Sequence, residues 1–588
     1  MDNTLHSQVR IQAPIEFGYI FSDEDRVSIE SVLCQCSRER LIKLAVLLNR
    51  NYCNKPALKL CEMLFPNDPR REELKNRIEL FFQRDAKQNV EYVVCFETTS
   101  LELLRHAFSI PFERFDKTDS PSNIDQLQFE MVKLITQINE ETMRCSVNQE
   151  NRGSLSSLLY VNAASYWDIL YYNPQDEGLA QVVQATAFFK LIEENTKYDT
   201  LLNRFYEKYL ISNWREYLRT LVSLFSLSLE SEGCIHTNLE IDVDSLITRS
   251  VLEQLSISSS YPHISYVSEN EYDKGGNSDY RLFRDKPLFK FENGDYLIHS
   301  RPLLAYRMFS SLYFDFLRIS EELEGQPNIA NLFTSEFIEK TLFIGLMNEC
   351  LSSDIIDALD EEGLKLRYKI QQGDIGYPDY FLKTEDAIIL FECKDIRINA
   401  WIKEQRNYTI IENELRNKLV SKTYQLDYTN HRHREIPPKR IGCGQIAGHV
   451  ANIRKNCFPW DSTLTQDIKV YPVLVVADNR LVAPGLAKLL QVWYAECLQK
   501  ERLDKSLEYP LILMSPLTLI KYSSLFQQEG FEKYFDVYYR SLRSKPVDII
   551  SIFNNQISFD EYMSQYPFKL ETLGKEFIKE LMADRKEQ

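Results

Sequence analysis

The sequence predicts a multidomain α/β chain of the α+β kind, a mostly helical N-terminal region followed by a core in which helices flank a mixed sheet. Three observations predict it. Apolar residues recur at helical spacing through much of the first 232 residues, as at Leu41, Leu44, Leu47 and Leu48. Two runs of strand formers, Tyr377–Lys383 and Ala387–Asp395, meet at the polar turn Glu385-Asp386. Val470–Val476, inside a strand expected over Ile468–Ala477, is nearly unbroken apolar sequence of the kind buried on both faces of a sheet.

The chain divides at changes of pattern. Residues 1–232 read as a helical region suited to sensing or to binding a second copy or a partner subunit. Residues 233–328 form an intermediate α/β region, residues 329–545 the sheet-bearing domain, and residues 546–588 C-terminal helices. At 588 residues there is ample chain for several cores. No apolar run reaches the roughly 20 residues needed to cross a bilayer, and the first residues lack a basic-then-apolar leader, so no membrane partner and a cytoplasmic location are expected. The twelve cysteines are scattered, which disfavours a disulfide scaffold. Cys34, Cys36, Cys53 and Cys61 fit no common zinc spacing and read as core.

Taken in order, Ser22-Asp23-Glu24-Asp25 reads as a capping box, and Pro56 heads a short helix over Ala57–Leu64. Val90–Phe96 is strand-like, and Asp116–Asn123 is a surface loop. Helices follow at Asp125–Met143, Leu155–Tyr172, Leu179–Glu194 and Leu201–Leu229, the last with Trp214, Tyr217 and Phe225 as a packing stripe. Ser258–Ser260 and Lys274–Asn277 punctuate the next region. There Leu288–Glu292 and Asp295–His299 flank Asn293-Gly294, a two-residue hairpin signal. A helix at Arg301–Leu323 and the connector Glu324–Pro327 lead on to a helix at Thr334–Cys350. Beyond the central hairpin, helices are expected at Asn399–Leu419 and Cys443–Lys455. Pro484–Leu498, Pro510–Met514 and Pro516–Tyr522 then read as helix, strand and helix. Ser558 opens a last capping box, and Asp584–Gln588 reads as a frayed, solvent-facing end.

The central hairpin carries the chemistry. With Glu385 and Asp386 as its turn, Asp379 falls opposite Glu392, and side-chain alternation puts Lys394 on the same face while Cys393 turns away with Phe391 and Ile389. Two close carboxylates raise each other's pKa unless a cation joins them, and hard oxygen ligands suit Mg²⁺ better than zinc. Such an ion with a neighbouring ammonium is equipment for hydrolysing a phosphodiester.

Pro378-Asp379, a gap, then Glu392-Cys393-Lys394 resembles the PD-(D/E)XK nuclease superfamily, over roughly residues 330–545. The resemblance implies a restriction-endonuclease-like core running helix, three-stranded meander, helix, strand. It implies a Mg²⁺ (or Mn²⁺) ion held by Asp379, Glu392 and the backbone carbonyl of Cys393, with Lys394 assisting the attacking water. Many members add an acid on the first helix, for which Glu339 or Glu336 are the matches, and a glutamine on the later one, matched by Gln445. It further associates the chain with effectors of bacterial anti-phage defence or restriction. Other acid-x-Lys triplets, such as Glu73-Leu74-Lys75 and Asp85-Ala86-Lys87, sit in helical sequence with no Pro-Asp at hairpin distance.

The net charge of −17 argues against indiscriminate coating of nucleic acid, but thirteen Lys or Arg against six Asp or Glu lie between Lys394 and Asn456. Arg397, Lys403, Arg406, Arg432, Arg434, Lys439 and Arg440 are therefore candidates for phosphate contact, with Arg416 and Lys418 on the same expected helix as Lys403 and Arg406. The stretch Thr429–Arg440 reads as a loop stiffened by Pro437-Pro438, and its His431 and His433 lack partners at metal-finger spacing. His449 lies one turn from Gln445. No Gly-rich phosphate loop occurs, so a nucleotide-driven motor is disfavoured. The expected function is a metal-dependent nuclease acting on DNA in preference to RNA; the alternative is a non-catalytic nucleic-acid-binding or assembly protein with a nuclease-like fold.

Overall fold

The computed structural model describes residues 11–87, 90–116, 124–143, 155–164, 174–230, 247–262, 280–323, 328–367, 376–399, 405–427, 432–455, 467–504, 508–543 and 555–567, with a few isolated positions besides. The punctuation at Lys274–Asn277, the connector Glu324–Pro327, nearly all of the loop to Asn123 and the charged C-terminal end fall outside these residues.

A five-stranded mixed sheet organises the second half. Asp357–Asp360, Tyr380–Lys383 and Ala387–Lys394 are antiparallel neighbours. Lys469–Val476 lies parallel to Ala387–Lys394, and Ile512–Met514 parallel to that on the edge. Parallel neighbours need a crossover, supplied first by the helices Tyr408–Leu419 and Cys443–Arg454 and then by Leu486–Lys500. Tyr380 pairs with Phe391 and Lys383 with Ile388. This is the register that a turn at Glu385-Asp386 requires; the ladder ends at Tyr380 and Phe391, one step short of Asp379 and Glu392.

Alternation along Ala387–Lys394 feeds two cores. Ile389, Phe391 and Cys393 join Phe343, Tyr471 and Phe535 on one face. Ile388 and Leu390 join Leu415, Ile446 and Leu490 on the other. Glu392 and Lys394 point to this second face, the one covered by Tyr408–Leu419 and Cys443–Arg454. The first core continues into the N-terminal half, where Phe188 meets Phe333 at 4.3 Å and Phe189 stacks on Trp214 at 5.3 Å. Trp214 and Tyr217 are thus packing residues, as their spacing suggests, and the helix bearing Glu339 is anchored to helices more than a hundred residues upstream.

Several boundaries differ from expectation for local reasons. The helix expected over Leu201–Leu229 is two, Asp199–Tyr209 and Trp214–Glu230, because Leu210 adopts the left-handed conformation (φ 51°) and ends the first. Arg301–Leu323 likewise splits into Arg301–Tyr306 and Leu312–Glu321. In the Asn293-Gly294 hairpin Lys290 pairs with Tyr296, one residue from the expected register. The loop there has three residues, Glu292–Gly294, with Gly294 at φ 90° closing a turn onto Phe291 O. Thr334–Cys350 begins instead as a wide π-type helix, Leu332–Phe343, continued by Ile344–Glu349.

Within Asn399–Leu419 a helical turn at Ile402 and Lys403 is followed by a turn, and the long helix runs from Tyr408 to Leu419. Asn407 caps it by accepting from the Ile410 N–H, and Arg406 just before has φ 47°. The expected loop Thr429–Arg440 is instead largely a strand, Arg432–Arg440, antiparallel to Ser421–Asp427 in a two-stranded ribbon of its own. Pro437 and Pro438 are accommodated because the pairing slips between Lys422 and Tyr424, leaving Ile436–Pro438 as a bulge where no ladder N–H is needed.

Candidate active site

The carboxyl end of the Ala387–Lys394 strand outruns its neighbour, whose pairing stops at Tyr380. That leaves the N–H of Cys393 without a ladder partner, and Asp379 Oδ2 accepts from it at 2.7 Å. On the opposite edge the carbonyl of Lys394 accepts from the Ala477 N–H at 3.1 Å. Since N–H and C=O of one residue share an edge and successive residues alternate, the carbonyl of Cys393 is directed toward the Asp379 edge.

Lys394 closes the cluster. Its Nζ lies 2.7 Å from Glu392 Oε1 and 3.3 Å from Asp379 Oδ2. Glu392 has no solvent exposure, and its Oε2 has no hydrogen-bond partner among the described residues. Burial, then the charge of Asp379, push its carboxyl up to about 8, against the pull of Lys394. Asp379 is raised by burial and restrained by Lys394 and the Cys393 N–H. For Lys394 burial works to lower the pKa, but Glu392 and Asp379 outweigh it and hold the ammonium charged.

The two first-helix acids separate cleanly. Glu336 accepts from Tyr198 at 2.6 Å and Asn331 at 3.0 Å and pairs with Lys197 at 2.7 Å, so it is engaged with the N-terminal helices. Glu339 is raised to about 7, first by burial and then by Asp379 and Asp395, with Lys394 opposing, which places it at the rim of the cluster. Among the described residues no three His, Cys, Asp or Glu side chains gather as a ligand set, so Glu339 is near the pair without completing a triad with it. The donors that fit a hard dication are Asp379, the orphaned oxygen of Glu392 and the Cys393 carbonyl.

No protein-family model and no curated protein matches the chain.

The remaining expected residues fall into two groups. Lys403 is buried and acts electrostatically on Asp478, while Arg406, half-buried, donates to the carbonyls of Glu141 and Thr142. Arg397 lies 3.6 Å over the ring of Tyr313 and 3.4 Å from Asp395, Arg416 pairs with Glu412 and Glu496, and Lys418 pairs with Glu414. By contrast Arg434, Lys439 and Arg440 are exposed on the ribbon, Arg440 also pairing with Glu501 at 2.6 Å. Arg432 lies in the ribbon with its side chain outside the described set, as does that of His433; His431 is outside it altogether.

Gln445 is half-buried in the first turn of Cys443–Arg454. His449, on the same helix, is fully buried, and burial depresses its pKa to about 3, so it is a neutral core residue. Sequence reasoning missed Asp395, which accepts from Thr334 at 3.0 Å and links the strand end to the helix of Glu339. It also passed over Lys422, exposed on the ribbon. Position at a strand end could have signalled the first; only the unforeseen ribbon could have signalled the second.

Proposed function

We propose that this chain is a divalent-metal-dependent nuclease that hydrolyses phosphodiester bonds, with DNA favoured over RNA. The observation that carries the reading is the convergence of Asp379, Glu392 and Lys394 at the open end of a central strand whose Cys393 carbonyl faces the same edge. The succession of helix, three-stranded meander, helices and parallel strand supports it, being the order of the restriction-endonuclease-like core. Asp379, Glu392 and the Cys393 carbonyl would hold Mg²⁺ or Mn²⁺, with Glu339 at the rim. The ion, when bound, supplies charge to the phosphate and acidity to a water.

The chain's own groups have distinct parts. Glu392, sealed from solvent, holds its proton up to about pH 8, and a cation that displaces that proton meets the carboxylate in a low-dielectric setting, where attraction is stronger than at the surface. Lys394 keeps its proton and donates to the attacking water or to the oxyanion that develops on the phosphate. Asp379, fixed by the Cys393 N–H, is preorganised and needs no rotation to act. The test is cleavage of plasmid and oligonucleotide substrates with Mg²⁺ or Mn²⁺, expected to vanish in Asp379→Ala and Lys394→Ala proteins that retain wild-type circular dichroism. Cleavage persisting in both would remove this site from the chemistry.

A second reading has an observation of its own. Lys394 already spans Asp379 and Glu392, and with Glu392 holding its proton below about pH 8 one carboxylate faces one ammonium, so the charges balance without an ion, as a non-catalytic nucleic-acid-binding or assembly protein with this fold would require. Nucleic-acid binding with no cleavage in any divalent metal would favour it.

A further inference from the structure

The ribbon formed by Ser421–Asp427 and Arg432–Arg440 pairs with no other strand of the chain among the described residues, and none of its described side chains is buried. Two-stranded ribbons are marginal by themselves, so this one must be held by its root. It is. Asn417 accepts from the Thr423 N–H at 2.8 Å and the Tyr424 N–H at 3.1 Å and donates to Tyr424 O at 3.1 Å, while the Tyr424 hydroxyl donates to Glu414 at 3.1 Å. On the other strand the Ile441 N–H donates to Val420 O at 3.2 Å. There Gly444 brings the following helix so close that a Cβ would stand 2.4 Å from Val420 O. The result is a stiff arm springing from the two helices that cover the face to which Glu392 and Lys394 point.

Its charges are arranged against its own stability. Lys422 and Lys439, both exposed, are direct cross-strand partners, an arrangement that costs stability within a sheet. Arg440 stands beside them and Arg434 further out, against Glu435 as the acid whose exposed side chain is described on the ribbon. Two opposed ammonium groups on an exposed ribbon are relieved by a polyanion. A two-stranded ribbon matches the major groove of B-form DNA, about 12 Å wide, whereas the deep, narrow major groove of A-form RNA excludes it.

We propose that the ribbon lies in the major groove of duplex DNA, with Lys422 and Lys439 on phosphates and Arg434 toward the groove floor, so that the substrate of the neighbouring site is double-stranded DNA. The inference names the substrate of the nuclease reading and rests on it for the chemistry, but its test needs no catalysis. Binding of the full chain to a short DNA duplex and to the RNA duplex of the same sequence is measured by fluorescence anisotropy in chelator, across a salt series.

The DNA duplex should bind at least tenfold tighter. A major-groove dye should displace the protein and a minor-groove ligand should not. The Lys422→Ala/Lys439→Ala protein should lose about two from the slope of log affinity against log salt, about 0.9 per phosphate contact. Equal affinity for the two duplexes, displacement from the minor groove, or an unchanged slope in a double variant with wild-type melting temperature would each overturn the proposal. DNA-selective binding without cleavage in Mg²⁺ or Mn²⁺ would leave the ribbon standing and remove the nuclease. Cleavage of both duplexes with equal binding would do the reverse.

Discussion

The ammonium of Lys394 lies 2.7 Å from the carboxylate of Glu392, a side chain with no solvent exposure. A buried charge with one close partner depends on that partner, and this dependence separates folding from chemistry at the site. Lys394→Ala should cost about 3 kcal/mol of folding stability at alkaline pH, and less at mildly acidic pH where Glu392 takes up a proton. Lys394→Ala/Glu392→Gln, which removes both charges, should recover most of that stability and none of the cleavage. Denaturant titrations of the three proteins beside a plasmid digest measure both effects. A double variant as unstable as the single one would mean that the pairing is not what holds this strand end together.

The raised carboxyls set a pH dependence of definite sign. Glu392 near 8 and Glu339 near 7 both lie above the ordinary 4.5. Between about pH 4.5 and pH 8 the folded chain therefore binds more protons than the unfolded one, and their contribution to stability falls as pH rises. In chelator the stability should drop across this window by several kcal/mol, at about 1.4 kcal/mol for each pKa unit by which these carboxyls stand above 4.5, with Glu392→Gln flattening most of the slope. Saturating Mn²⁺ should cancel it in the wild type, since binding ligands must shed their protons, and should do so less well in Asp379→Ala. Chemical denaturation at several pH values, with and without metal, reads each of these.

How much of this was legible in the sequence follows from the physics of each signal. The register that pairs Tyr380 with Phe391 and Lys383 with Ile388 was readable because a tight polar turn between two apolar runs leaves little freedom in the pairing. The Asn293-Gly294 hairpin slipped by one residue because the same dipeptide serves a three-residue loop when glycine takes the left-handed position. The ribbon was missed because Pro437-Pro438 argues against a strand, and only a bulge, which leaves no mark in composition, reconciles them. Lys403 and Arg406 looked exposed because charge suggests surface. Whether an upstream helix end is there to receive such a side chain is a tertiary fact.

That last difference can be measured. Arg406 donates to carbonyls at the end of the Ile124–Met143 helix, more than 260 residues earlier, whereas Arg434 is exposed on the ribbon surface. Arg406→Ala should lower the thermal midpoint by several degrees, through loss of a cation from two peptide oxygens, and leave the salt dependence of DNA binding unchanged. Arg434→Ala should leave the midpoint alone and weaken DNA binding. Calorimetry and anisotropy on the two variants form a crossed test, and an Arg406 variant that binds DNA poorly at full stability would return that residue to the interface.

The N-terminal half supplies the strongest structural case. Asp315, fully buried, accepts from Lys208 at 2.6 Å and Tyr209 at 2.9 Å and pairs with Arg307 and with Arg318 at 3.0 Å, joining helices from 199 to 321. Burial works to raise its pKa, but Arg307 and Lys208 prevail and hold it near 2, below the ordinary 3.8. A depressed carboxyl stabilises the fold above its unfolded pKa and gives that stability back as pH falls toward the folded value, so this cluster should fail between about pH 4 and pH 2. Asp315→Asn keeps the shape and removes the charge, leaving Arg307 buried among neutral partners; it should cost about 3–5 kcal/mol at neutral pH and make the acid limb of the stability profile shallower. The helix of Glu339 packs on this same core through Phe333 and Phe316. Loosening the cluster should therefore lower cleavage at temperatures well below the melting point, while Lys422, on the far ribbon, keeps its part in DNA binding.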